Sequence, residues 1–237
     1  MARLDPKPDP DYTLRMMNSP KIGNRRGRQS RQEILDAAAR VMAAYGYAGT
    51  SMSALVEATG IPKSAIYHHF GSKAGLLAEV MALGAREFFT AMHDAHQCPP
   101  EGTPRERLSW YLQKTGEVFQ HHENFMRLQF LLVLTAEAVE PEAMQTIIDI
   151  RKEGRDYMQK MIRSALSASH KHMTAALIND LAHFGLSSFD GAFISLQSGD
   201  TSKLAKHMEQ LTDALIALAD ARPSQGTKRS SASKHPR

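Results

Sequence analysis

Residues 60–70 read Gly60-Ile61-Pro62-Lys63-Ser64-Ala65-Ile66-Tyr67-His68-His69-Phe70, GIPKSAIYHHF. The glycine and proline mark a turn, and proline is tolerated at the start of the helix that follows because its missing N–H has no partner there anyway. Upstream, Ser51 is a hydroxyl cap for a short helix through Leu55 and Ala58, and Gly60 ends that helix. Two short helices joined through TGIP form a helix-turn-helix pattern with glycine in the turn. Ile66 and Phe70, four residues apart, face inward, which turns Tyr67 and His68 outward. In this motif the second helix enters the major groove of DNA and its first residues meet base edges. Lys63 and Ser64 occupy those positions, and Ala65 is small enough for close approach or contact with a thymine methyl. Lys73 opens the next helix, where free amide donors and the helix dipole favour an anion. A small helical bundle with a polar third helix would satisfy the same pattern without touching DNA.

The adjacent His68 and His69 are not a chelate, since neighbours on a helix point about 100° apart. His93-x-x-His96 with Cys98 two residues on is a better metal candidate, because a spacing of three puts both imidazoles on one face. A helix end carrying exposed histidines has the same spacing. No nucleophile elbow, phosphate-cradling glycine loop or zinc-protease helix is present, so neither an enzyme nor a cofactor is expected.

Outward from this stretch nearly everything reads as helix. Ser30 and Glu33 have capping-box spacing, followed by Ile34, Leu35, Ala38, Val41, Met42 and Tyr45 at helical intervals up to Gly46. Ser72 caps a helix with Leu76, Leu77, Val80 and Met81 on its inner face. After the breakers at 98–102, Thr103 and Glu106 form a second capping box, and helical patterns follow over 104–122, 124–136, 141–168, 174–197 and 201–221. The predicted fold is all-α with about nine helices. The last two helices carry Leu181, Phe189 and Phe193, and Leu204, Met208, Leu211, Leu215 and Leu218 at alternating spacings of four and three. Such a seam suits an intersubunit four-helix bundle in a homodimer, or an internal core.

A chain of 237 residues, 42% hydrophobic and with mean hydropathy −0.37, buries one large core or two modest ones. The apolar run Phe130–Leu134 is far too short to span a bilayer, and the first residues hold no apolar signal segment. With Cys98 as the single cysteine, a cytoplasmic protein is expected and no membrane partner. Net charge is +4, but Lys21, Arg25, Arg26, Arg28 and Arg31 cluster without an acid, as do Lys228, Arg229, Lys234 and Arg237. Basic flanks suit a polyanion partner and equally suit solvated tails.

Residues from about 30 to 80, and above all IYHHFGSKAGLL with Tyr67, His69, Phe70, Lys73, Leu76 and Leu77 in register, resemble the DNA-binding domain of the tetracycline-repressor (TetR) family of bacterial regulators. Val56 and Thr59 depart from that pattern, which usually has alanine at those places. The resemblance implies an N-terminal three-helix DNA-binding domain over 30–83, with the helix-turn-helix at about 51–70, and a ligand-binding and dimerisation domain over 84–221. Flanking them are disordered basic segments at 1–29 and 222–237, the first offering Lys21–Arg28 as an arm for the minor groove. It implies phosphate contacts from Thr50 and Ser51, base contacts from Lys63, Ser64 and Ala65, and backbone clamping by Tyr67, His68 and Lys73. His69 packs inward.

It also implies a pocket in the middle helices, for which Phe89, Met92, Trp110, Tyr111, Phe125, Phe130, Tyr157 and Met161 are the candidates. Each serves equally as core filler. The implied partners are a pseudo-palindromic DNA operator, a small and largely apolar effector, and a second copy of the chain. A helical small-molecule-binding protein whose helix-turn-helix no longer reads DNA is the competing reading.

Overall fold

The computed structural model describes residues 25–135, 139–166, 173–199 and 203–221. The segments upstream of Arg25 and beyond Ala221, including Lys21 of the expected arm, lie outside the described residues. These residues hold nine α-helices: α1 (Arg25–Gly49), α2 (Met52–Thr59), α3 (Lys63–Phe70), α4 (Lys73–Ala95), α5 (Pro104–His121), α6 (Glu123–Leu134), α7 (Pro141–Leu166), α8 (Ala175–Gln197) and α9 (Leu204–Asp220).

Helix α1 starts earlier than the capping signal suggests. Ser30 lies inside it, and Gln29 Nε2 donates to Glu33 Oε1 at 3.0 Å, so the expected Ser30–Glu33 box does not form. The amides of that turn already have helical carbonyls upstream, which leaves a cap nothing to satisfy. For the same reason residues 25–29 are helical and not part of a disordered extension. Gly46 does break the helix, at φ 72 and ψ 167, a conformation that costs glycine nothing.

The other signals match what forms. Ser51 Oγ accepts from Ala54 N–H, Ser72 Oγ from Gly75 N–H, and Thr103 and Glu106 make both bonds of the capping box. Gly60 ends α2 in the left-handed region at φ 68. Ile66 and Phe70 of α3 are buried with Ile34, Ala38 and Met42 of α1, Leu55 of α2, and Leu76, Leu77 and Val80 of α4. Full burial of each large side chain contributes roughly 1.5–3 kcal/mol, enough to seat so short a helix. Leu128 and Leu132 of α6 and Ile147 and Ile150 of α7 close this core from the other side.

The second core forms among α4 to α9. Helix α4 serves both, because its first half carries Leu76, Leu77 and Val80 into the first core and its second half carries Phe88 and Met92 into the second. It therefore runs without interruption through residue 83, the expected domain boundary.

The seam assigned to a dimer interface is instead internal. Leu181, Phe189, Phe193, Met208, Leu211 and Leu215 are all buried by the chain's own helices, and Leu204 is half-buried. Phe193 stacks on Phe130 of α6 with ring centroids 5.2 Å apart, and Gly116 of α5 lets Leu204 and Met208 pack close. A coiled-coil-like spacing wants an apolar partner, and α5 supplies one within the same chain. Of the expected set only Leu218, 44% exposed, faces outward, and on α8 the outward apolar residues are Phe184 at 42% and Ile194 at 55%.

Candidate nucleic-acid interface and internal cavity

Helix α3 presents one polar face. Lys63, Ser64, Tyr67 and His68 are exposed, Ala65 and His69 are half-buried, and residues 60–73 contain no acid. The Lys63 ammonium lies 5.6 Å from the Tyr67 ring centroid, which holds two outward groups together. The turn before α3 is fixed by Thr59, whose hydroxyl donates to Leu55 O at 2.8 Å and accepts from Ile61 N–H at 3.1 Å. The threonine that departs from the family pattern thus satisfies a turn amide. His69 sits beside His68 and Arg31, and burial, helped by those charges, lowers its pKa from the ordinary value. It stays neutral and packs while His68 faces out.

Ser51 is exposed, and with its oxygen accepting from Ala54 N–H its hydroxyl proton remains free to donate. Thr50 is a correction to the expected phosphate set. It is 1% exposed, and its hydroxyl donates to Gly46 O at 2.8 Å. The break at Gly46 leaves that carbonyl without a helical donor, and Thr50 turns inward to supply one.

Lys73 is half-buried, its ammonium 4.2 Å from the centroid of the Tyr47 ring. Burial lowers its pKa, and nearby Glu140 opposes that shift. Tyr47 O–H donates to Glu140 Oε2 at 2.6 Å, and burial and this bond both raise the phenol's pKa. Tyr47 and Glu140 were not among the expected site residues. They lie 93 positions apart, and only the fold brings them to Lys73. Lys73→Ala should weaken binding to every DNA sequence alike and reduce the slope of log affinity against log salt by about one. Titrations at several salt concentrations check this, and an unchanged slope would remove Lys73 from the phosphate contacts.

The internal cavity lies in the second core, with about 50 Å³ of free space. Five of the expected residues line it: Phe89, Met92, Phe125, Tyr157 and Met161. Trp110, Tyr111 and Phe130 do not; Trp110 and Tyr111 pack around His96, and Phe130 stacks on Phe193. Phe88, Phe119 and Phe189 complete the aromatic wall, with Phe119 and Phe189 at 5.0 Å between centroids. Polar groups are few: Thr115, Gln129, Tyr157 and the Arg151–Asp190 ion pair at 2.7 Å. Phe88 was legible in the period of α4, one turn before Met92. Arg151 and Asp190 sit on α7 and α8, and their sequence spacing carried no signal.

His96, weighed with His93 and Cys98 as a metal ligand, turns into the protein and is 9% exposed, while Cys98 is exposed. Burial pushes the His96 pKa down to about 4, so the ring is neutral. Its Nε2 lies 3.1 Å from Tyr111 O, a carbonyl that only accepts, so the proton resides on Nε2. Nδ1 is then an acceptor facing the Tyr157 hydroxyl at 2.8 Å, whose one proton it shares with Met92 O at 3.0 Å. Both ring nitrogens are engaged. Among the described residues no group of three or more His, Cys, Asp or Glu is placed to hold a metal ion, and no helix is long and apolar enough to cross a membrane.

Comparison with known proteins gives consistent relatives. Residues 34–80 match the family model for bacterial regulatory proteins of the tetR family. The uncharacterized HTH-type transcriptional regulator YxaF of Bacillus subtilis is 24% identical over 77% of this chain and 93% of its own length. The HTH-type transcriptional repressor AcnR of Corynebacterium glutamicum is 53% identical over 20% of this chain and 25% of its own. Among solved structures, the transcriptional regulator FadR from Bacillus subtilis in complex with stearoyl-CoA superposes with a TM-score of 0.63. It is 17% identical, over 78% of this chain and 97% of that one, a likeness of fold.

Proposed function

Since the chain belongs to the TetR family of bacterial regulatory proteins and is a DNA-binding transcriptional regulator, we propose that it is a homodimeric, cytoplasmic repressor released from a pseudo-palindromic operator by a small, largely apolar effector. The observation that carries this reading is the span of α4. One uninterrupted helix bears Lys73 beside the exposed face of α3 and, about 22–28 Å along its axis, Phe88, Phe89 and Met92 at the cavity. Organic ligands occupy cavities of about 300–1,000 Å³, so an effector entering this one must displace side chains. Met92, Met126, Met158 and Met161 yield at low cost, being unbranched and soft. The aromatic residues of α4 then move with the helix.

Two recognition helices read DNA when they lie one turn, roughly 34 Å, or a multiple of it apart. An effector that fits better when α4 is displaced favours a dimer with the wrong spacing. A tenfold loss of operator affinity needs a differential binding free energy of only about 1.4 kcal/mol. The outward stripe of α8, with Phe184, Ser187, Gly191 and Ile194, together with Leu218 of α9, supplies the self-complementary surface for the second copy. A small-molecule ligand has a parallel in the stearoyl-CoA held by the FadR structure.

Selection of binding sites from random duplexes by the full chain tests the proposal. The expected product is an inverted repeat with half-sites one helical turn, or a multiple of it, apart. Enrichment of no sequence would favour the alternative, a small-molecule-binding protein whose helix-turn-helix does not read DNA.

A further inference from the structure

The cavity is apolar and aromatic, and nearly all of its polar groups are already engaged. Thr115 O–H donates to Tyr111 O at 2.9 Å, and Tyr157 O–H is held by His96 at 2.8 Å. Arg151 and Asp190 meet through two contacts, 2.7 and 3.3 Å, and neutralise each other. Gln129 is the exception. It lines the cavity from α6, is 6% exposed, and its amide has no hydrogen-bond partner among the described residues.

Among the described residues the fully buried side-chain polar atom without a partner is Arg107 Nε, so the Gln129 amide keeps access to solvent through the cavity. A ligand that displaces that solvent must pair with the amide or leave it unsatisfied. Its neighbours on the same wall, Phe125 and Met126, are one turn back on α6 and frame the amide with apolar surface. A charged ligand meets a pair that is already neutralised, so neither ion offers it an uncompensated counter-charge, and drawing one of them away would weaken the pair. Removing either partner of a half-buried ion pair leaves the other uncompensated.

We infer that Gln129 is the specificity-determining contact of the cavity, and that the ligand class is a neutral aromatic or alicyclic molecule bearing one carboxamide or similar group that both donates and accepts. This rests on the reading of the cavity as the effector site. The apolar body occupies the space bounded by Phe88, Phe89, Phe125 and Phe189, and the amide pairs with Gln129 in the two-bond geometry that amides form with one another.

Calorimetric titration of the full chain with four probes of one shape tests the assignment: naphthalene, 2-naphthamide, 2-naphthoate and trimethyl-2-naphthylammonium. The carboxamide is expected to bind at least tenfold more tightly than each of the other three. Gln129→Leu, of nearly the same volume, should retain binding of naphthalene and lose the preference for the carboxamide. Gln129→Asn, which withdraws the amide by one methylene, should lose the same preference, so the test survives if either variant folds poorly. Tighter binding of the naphthoate or the ammonium, or a carboxamide preference that persists in both variants, would overturn the proposal while leaving the cavity as an effector site. Binding of none of the four overturns both.

Discussion

Gly75→Ala is expected to abolish most operator binding while leaving the chain folded. A β-carbon at residue 75 would stand 2.3 Å from the carbonyl oxygen of Phe70 and 3.5 Å from its carbonyl carbon. These are backbone atoms at the last residue of α3, so no rotamer relieves the contact. That oxygen also accepts from Ser72 N–H at 2.7 Å, which ties the turn between α3 and α4 together. Relief requires α3 to move away from α4 by about 1 Å, and hydrogen bonds to base edges weaken steeply at such displacement. Each good base contact contributes about 1–3 kcal/mol, so loss of two or three lowers affinity by roughly 100-fold or more. The gain of about 1 kcal/mol in helix propensity from glycine to alanine is outweighed by overpacking, which costs about 1–3 kcal/mol. Gly27→Ala is the control, since a β-carbon there meets nothing within 4 Å. Fluorescence anisotropy with the selected operator and thermal melts of the three proteins make the comparison. Wild-type affinity in Gly75→Ala would show that the register of α3 on α4 does not govern recognition.

Phe189→Ala carries the largest stability cost. The ring is 1% exposed, lies 5.0 Å from Phe119, and borders the cavity, so its removal enlarges a void that the surrounding helices cannot close. Phenylalanine-to-alanine changes in cores cost about 3–5 kcal/mol, and each kcal/mol lowers the melting temperature of a chain this size by about 2–4 °C. A fall of roughly 10 °C is expected, the same at every protein concentration. Ile194→Asp, on the outward stripe of the same helix, should behave in the opposite way. At 55% exposure it costs the core little, but it places a charge in the proposed dimer surface and should shift sedimentation towards the monomer. If Phe189→Ala instead dissociates the dimer without lowering the monomer's melting temperature, its place in the core is wrong.

The contrast between these two residues marks the boundary between sequence and structure. Both lie on α8, both are apolar, and their sequence context does not say which side of the helix meets the chain's own core. Pattern alone suited Phe189 to an interface or to an internal core; its contact with Phe119 of α5 and the packing of α7 along α8 turned it inward. The cavity divided in the same way. Phe89, Met92, Phe125, Tyr157 and Met161 were legible as apolar positions on middle helices, whereas the Arg151–Asp190 pair and the unpartnered Gln129 depend on how three helices cross.

By itself the sequence determined what depends on neighbours a few residues apart. Caps at Ser51, Ser72 and Thr103, the breaks at Gly46 and Gly60, and the inward turn of Ile66 and Phe70 are local chemistry of this kind. So is the outward face of Lys63, Ser64, Tyr67 and His68. Tertiary structure decided whatever required distant groups to meet. It set Tyr47 and Glu140 around Lys73 and held His96 between Tyr111 and Tyr157. Helical periodicity states which residues share a face, but the partner of that face is settled only by the free energy of packing all the helices at once.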